Sequence, residues 1–216
     1  MYYNPMDTDN SRTKKILSLL DKLYPHDGKC FLHYNEPWQL LFATILSAQC
    51  TDNMVNKVTA GLFAKLPKIK DFAECDLQLL EELVRPTGFY KTKAKNLKKA
   101  ATMLLNDFGG NLPRDISELT KLAGVGRKTA NVVRGHIFGI PSIVVDTHVK
   151  RVSYRLGLTK EIDPVKIEFE LMEVLPRESW IAYNQQVISH GRKVCTSRKP
   201  KCGECELNGI CIPSTH

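Results

Sequence analysis

The 216-residue sequence contains no long apolar run. Its longest apolar-rich stretch, Leu40 to Ala48, is interrupted by Thr44 and Ser47 and falls far short of the roughly 20 residues that cross a bilayer, which excludes a membrane-spanning helix. Met1 to Asn10 is polar and acidic and lacks the apolar core of a signal peptide, so the protein is expected to be intracellular. Alternating apolar and polar segments, low-complexity tracts and internal repeats are also missing, which leaves no basis for a β-sheet. Acid is scarce: 23 Asp and Glu stand against 31 Lys and Arg, a net charge of +8 that favours a polyanionic partner. Seven cysteines without a secretion signal argue against a disulfide framework.

A hydrophobic content of 43% is enough to build a core, and its periodicity is helical. Ser11 is the expected cap of a helix over Thr13–Leu23. Asn35-Glu36-Pro37 starts a second, apolar on most sides and therefore central, and Thr51-Asp52 opens a third to about Leu66. Asp76 opens a helix through Val84, Pro86-Thr87-Gly88 forces a turn, and Lys91 to Phe108 carries lysines on one face and Ala, Leu and Met on the other. Beyond Phe138, Ser142–Val145 reads as a buried connector. Asp146 caps a helix to about Leu156, Asp163-Pro164 starts one to Val174, and Ser179 caps the last, to about Arg192. The pattern predicts an all-α fold of about ten helices, with Gly139-Ile140-Pro141 as the one clear mid-chain break.

Within this series Leu119 to Val133, LTKLAGVGRKTANVV, is distinctive. A helix from Asp115, with Glu118 as capping-box partner, ends where Gly124 can turn left-handed, and a second helix begins at once after Gly126. The hairpin Gly124-Val125-Gly126 presents fresh helix N–H groups to a phosphate, and Arg127 and Lys128 add charge at the end where the helix dipole prefers anions. An ordinary helical turn with solvated basic residues is the other reading.

Two groups carry chemistry. Cys195, Cys202, Cys205 and Cys211 lie within seventeen residues, a set of soft ligands for zinc or a [4Fe–4S] cluster. Zinc ribbons pair two C-x-x-C knuckles, and only Cys202 and Cys205 form one, so spacing favours iron–sulfur. Cys30, Cys50 and Cys75 are scattered and read as small hydrophobes. Arg192, Lys193, Arg198, Lys199 and Lys201 surround the first ligands without an acid among them, as a second phosphate contact or as a solvated loop that offsets the cluster's charge. The other group is Lys128 with Asp146. An amine at a helix N-terminus among cations is expected to titrate below the ~10.4 of a free lysine, which makes it a candidate nucleophile for a sugar C1′. A carboxylate would stabilise the positive charge that develops as a glycosidic bond breaks. On the residues alone, such a lysine is more often a phosphate anchor and such an aspartate more often a helix cap, and His148 reads as a packing or hydrogen-bonding residue.

LAGVGRKTANVV, VVDTHVKR and the four-cysteine loop together resemble the endonuclease III family of DNA glycosylases, and the likeness runs from LLFATILSAQCTDNMVNK through TGFYKTKAKN to HGRKVCTSRKPKCGEC. The resemblance implies a two-lobed helix-hairpin-helix fold with DNA in the cleft. One lobe is a six-helix domain over residues 30–140, and the other an iron–sulfur domain made of residues 1–29 and 141–216 with a [4Fe–4S] cluster. It implies that Lys128 and Asp146 are catalytic and that Gln49 enters the space left by an extruded base. Gly124, Val125, Gly126 and Arg127 would hold the backbone. The implied function is that of a monomer acting on damaged double-stranded DNA as a glycosylase and abasic-site lyase for oxidised pyrimidines. Related adenine glycosylases lack the lysine and use water. A glycosylase for another lesion or mismatch, or a non-catalytic iron–sulfur DNA-binding protein, are the alternatives. Two departures stand out. Phe89 occupies the place of a frequent aliphatic wedge, which leaves lesion preference open, and Ala123 replaces a frequent proline, which should loosen the hairpin slightly.

Overall fold

In the computed structural model, residues 10–26, 28 and 30–211 are described. They form eleven α-helices joined by turns and short 3-10 segments, with no strand among the described residues. The chain divides into two compact units, Cys30–Ile140 and Met1–Lys29 together with Pro141–His216. Among the described residues, no helix is long and apolar enough to cross a membrane.

The first unit is built around α2 (Pro37–Leu46), in which every residue from Trp38 onward is buried. Glu36, one residue after Asn35, is its N-cap, because the Gln39 side-chain oxygen accepts from both the Asn35 and Glu36 amides, at 2.8 and 3.1 Å. Trp38, Phe42 and Phe72 meet edge-to-face with centroids 4.9–5.5 Å apart, and each such ring burial contributes on the order of 1.5–3 kcal/mol. Around this core lie α3 (Asp52–Lys65), α4 (Ile69–Glu74), α5 (Leu77–Val84), α6 (Tyr90–Phe108), α7 (Ile116–Leu119) and α8 (Arg127–Phe138). The expected six helices become seven with α4, whose six residues are too few to show a period. Asp71 accepts from the Lys68 amide at its start, and Lys98 of α6 donates to the Ala73 and Cys75 carbonyls at its end. Helix α6 packs along α4 and α5, and α2 packs on α8.

The second unit joins α1 (Asn10–Leu23) to α9 (Thr147–Arg155), α10 (Pro164–Val174) and α11 (Trp180–Lys193). Ile16, Leu20, Val149, Val152, Ile167, Leu171, Tyr183 and Val187 form its core. One expected cap is corrected, because Ser11 lies inside α1. Ser179 stands at the N-cap of α11 as expected, with its hydroxyl donating to the Pro176 carbonyl and not accepting a first-turn amide. The apolar Ser142–Val145 connector stays extended without a partner strand because the Asn184 amide takes its place. It donates to the Ser142 carbonyl at 2.8 Å and accepts from the Val144 amide at 2.9 Å. Arg12 donates to the Leu156 and Ile210 carbonyls, which fastens α1 to the end of α9 and to the cysteine loop.

Candidate functional site

In the Cys30–Ile140 unit, the hairpin follows α7, whose N-cap Asp115 accepts from the Ser117 amide at 2.7 Å. Glu118 does not complete a capping box; it pairs with Lys121 across one turn instead. After a tight turn Gly124 is left-handed at φ 76°, and a β-carbon there would come within 2.9 Å of the Asn96 side chain on α6. Glycine is therefore required twice, for conformation and for space. Val125 is buried in the core, so only its backbone can serve a ligand, while Gly124 and Gly126 are exposed.

Gly126 is the N-cap of α8 and supplies no side-chain acceptor, unlike the caps of α3, α5, α9 and α10, where Thr51, Asp76, Asp146 and Asp163 accept first-turn amides. The cap of α8 thus adds no side-chain acceptor at the positive end of the helix dipole, where an anion is favoured. Arg127 is half-buried and Lys128, the second residue of α8, is exposed. Gln49 and Phe89 belong to the same unit. They stand at turns, exposed, and both are left-handed, at φ 53° and 47°. Phe89 is 66% exposed, an apolar ring held in solvent at the head of α6.

In the other unit, Asp146 caps α9, its Oδ1 accepting from the His148 and Val149 amides at 2.8 Å each. This fixes the carboxylate at the helix start while leaving it half-exposed. His148 is held below its ordinary imidazole value by burial, against the pull of Asp146 and with the help of Arg151 and Arg192. Its Nδ1 lies 3.1 Å from the Arg151 guanidinium, which gives it the packing and bonding role expected from the sequence.

The same helix reaches the cysteines. Arg151 donates to the Gly191 and Cys195 carbonyls at 3.0 Å, and buried Arg155 donates to Cys195 Sγ at 3.3 Å, to the Thr196 carbonyl at 2.8 Å and to the Ser197 carbonyl at 3.2 Å. Gly191 lets α11 come this close, since a β-carbon there would meet His148 Nδ1 at 2.7 Å. None of the four cysteines is in a disulfide, and all line one pocket with Arg155 and His190, whose Nε2 lies 3.7 Å from Cys205 Sγ. Burial first and then the neighbouring thiolates push Cys211 up to about 11 and raise Cys205 as well, so deprotonation there needs a cationic centre. Four thiols around one pocket fit a polynuclear cluster in which each iron takes one thiolate. Arg192, Arg198, Lys199 and Lys201 are all exposed around this loop.

The sequence model of the HhH-GPD superfamily base excision DNA repair proteins matches residues 42–177, and that of the iron-sulfur binding domain of endonuclease III matches residues 195–211. The chain is 50% identical over 207 residues to endonuclease III of Synechocystis sp., a match that covers 95% of this chain and 94% of the relative. It is 45% identical over 202 residues to endonuclease III of Bacillus subtilis, with 92% of each covered. It also superposes on the solved structure of a trapped endonuclease III–DNA covalent intermediate, an estranged-adenine complex. The TM-score is 0.89 at 42% identity, covering 94% of this chain and 95% of that one.

Proposed function

Since the chain belongs to the endonuclease III family, we propose that it excises oxidised pyrimidines from duplex DNA and then cuts the strand at the resulting abasic site, acting as an intracellular monomer. The observation that carries this reading is the exposed amine of Lys128, placed at the first turn of α8 immediately after the glycine hairpin. A relative trapped in a covalent intermediate with DNA supports it.

A glycosidic carbon is out of reach inside a stacked duplex, so the damaged nucleotide is first extruded, and damaged bases cost less to extrude. The glycine hairpin and the first turn of α8, with Arg127, hold the phosphates, and Gln49 and Phe89 fill the vacated stack. Arg192, Arg198, Lys199 and Lys201 extend the phosphate contacts from the other unit. Lys128 Nζ attacks C1′, the C1′–N bond breaks, and the base leaves with a proton. The Asp146 carboxylate stabilises the positive charge that develops on the sugar. Loss of the second amine proton opens the ring to an imine, after which removal of a C2′ proton breaks the C3′–O bond on the 3′ side of the lesion. The attacking amine must be neutral, so Lys128 gives up its proton before the first step.

The cofactor is a [4Fe–4S] cluster. Cys195, Cys202, Cys205 and Cys211 are its proposed ligands; bound there, it supplies iron–thiolate bonds that close the loop against α9 and α11. A duplex carrying one oxidised thymine tests the reading. Base release coupled to strand scission is expected. Base release with intact abasic strands, or salt-dependent binding without product, would refute the bifunctional assignment. The aromatic ring of Phe89, where an aliphatic residue is frequent, favours running other lesions and mismatches in the same panel.

A further inference from the structure

Among the described residues, Gln49 and Phe89 are the two non-glycine residues with positive φ, and each holds a conformation that its β-carbon resists. Such conformations persist only where the surroundings over-determine them. One side chain serves both turns. Lys93, on the first full turn of α6, is 4% exposed, and its ammonium donates to the Leu46 carbonyl at 2.8 Å and to the Thr87 carbonyl at 2.7 Å. Leu46 is the last residue of α2, three before Gln49. Thr87 ends the 3-10 turn Arg85–Thr87, two residues before Phe89.

The chemistry of the arrangement is specific. A helix C-terminus leaves carbonyls without partners and carries negative dipolar charge, which a buried cation satisfies. Burial pulls the Lys93 amine below its ordinary value, partly offset by Cys50, so the two carbonyls must hold a charge that solvent no longer does. Removing the ammonium would orphan two buried carbonyls at once, each at the root of one turn. The Thr87 hydroxyl, which donates to the Val84 carbonyl at 2.8 Å, steadies its own turn but does not reach the other.

We infer that Lys93 is a positioning residue that binds the Gln49 turn and the Phe89 turn into one rigid wedge for base extrusion. The inference rests on the repair function proposed above. It separates extrusion from bond breaking, because Lys93 is buried with its ammonium on the two carbonyls.

The test uses the cluster-bearing protein with Lys93→Met, which keeps length and apolar stem but no donor. Single-turnover excision is measured on two duplexes with the same oxidised thymine, one opposite adenine and one opposite an abasic analogue, where there is no pair to break. On the paired duplex the rate should fall about 10- to 100-fold, the loss expected for hydrogen bonds to a charged group. On the unpartnered duplex it should fall by less than about threefold. Equal losses on both duplexes, as a merely structural role predicts, or no loss on the paired one, would overturn the assignment. Should Lys93→Met fail to fold, Gln49→Ala, Phe89→Ala and the double variant decide the matter with Lys93 intact. A single wedge predicts a double-variant loss at least about fivefold smaller than the product of the single losses, and multiplicative losses overturn it. A wild-type protein inactive on both duplexes would instead refute the repair reading itself, and this role with it.

Discussion

Replacing Gly124 by alanine isolates what the hairpin requires of its backbone. At φ 76° an alanine carries a left-handed penalty of about 1–2 kcal/mol. Its β-carbon would also lie 2.9 Å from both Cβ and Nδ2 of Asn96. Because Asn96 Cβ is fixed to α6, rotation of the amide cannot clear the overlap, and the turn or the helix must move, at a further cost of about 1–3 kcal/mol. Equilibrium urea unfolding should therefore show Gly124→Ala destabilised by roughly 2–5 kcal/mol. Gly126→Ala is the control. Its φ of −93° suits any residue and nothing lies within 4 Å of the added carbon, so less than about 1 kcal/mol is expected there. Adding Asn96→Gly to Gly124→Ala, measured against Asn96→Gly alone, should recover the steric part, because it removes the Cβ as well as the amide, and leave the conformational part. The reasoning is refuted if Gly124→Ala is as stable as Gly126→Ala, or if the Asn96 truncation recovers nothing.

Asp146→Asn keeps an oxygen to accept the His148 and Val149 amides but removes the charge. Stability by the same unfolding assay should change by less than about 1 kcal/mol, while excision slows about 10²- to 10⁴-fold, and a variant close to wild type in rate would remove Asp146 from the chemistry. Arg155→Met strips hydrogen bonds from Cys195 Sγ and from the Thr196 and Ser197 carbonyls in a buried setting, which costs about 2–4 kcal/mol. Iron and sulfide per chain after gel filtration should drop well below about four of each, the content expected of the wild type; full retention would show that the loop holds the cluster without this clamp.

The fold was legible in the sequence wherever its cause was local. Asp76, Asp115, Asp146 and Asp163 cap the helices they precede because a short carboxylate reaches amides two and three residues on. Glycine punctuation marked the hairpin, and the cysteine spacing marked the pocket that all four residues line. What escaped depends on distant partners. Helix α4 is closed by Lys98, more than twenty residues along the chain, and no period could announce it. The lysines of α6 read as one face opposite its Ala, Leu and Met, yet Lys93 is buried, because whether a lysine meets unpaired carbonyls is decided by how helices end against one another. Arg151 and Arg155 likewise reveal themselves only once α9 lies beside the cysteine loop. Ser11 shows the converse error, a residue of the right type where the helix does not begin.

The central claim is that Lys128 forms the covalent link to DNA. Borohydride reduction during reaction with a duplex bearing an oxidised thymine or an abasic site should convert the imine to a stable amine, giving a protein–DNA adduct whose modified peptide contains Lys128. The account predicts this adduct for the wild type and none for Lys128→Ala; an adduct of equal yield from Lys128→Ala, or none from the active wild type, would contradict it.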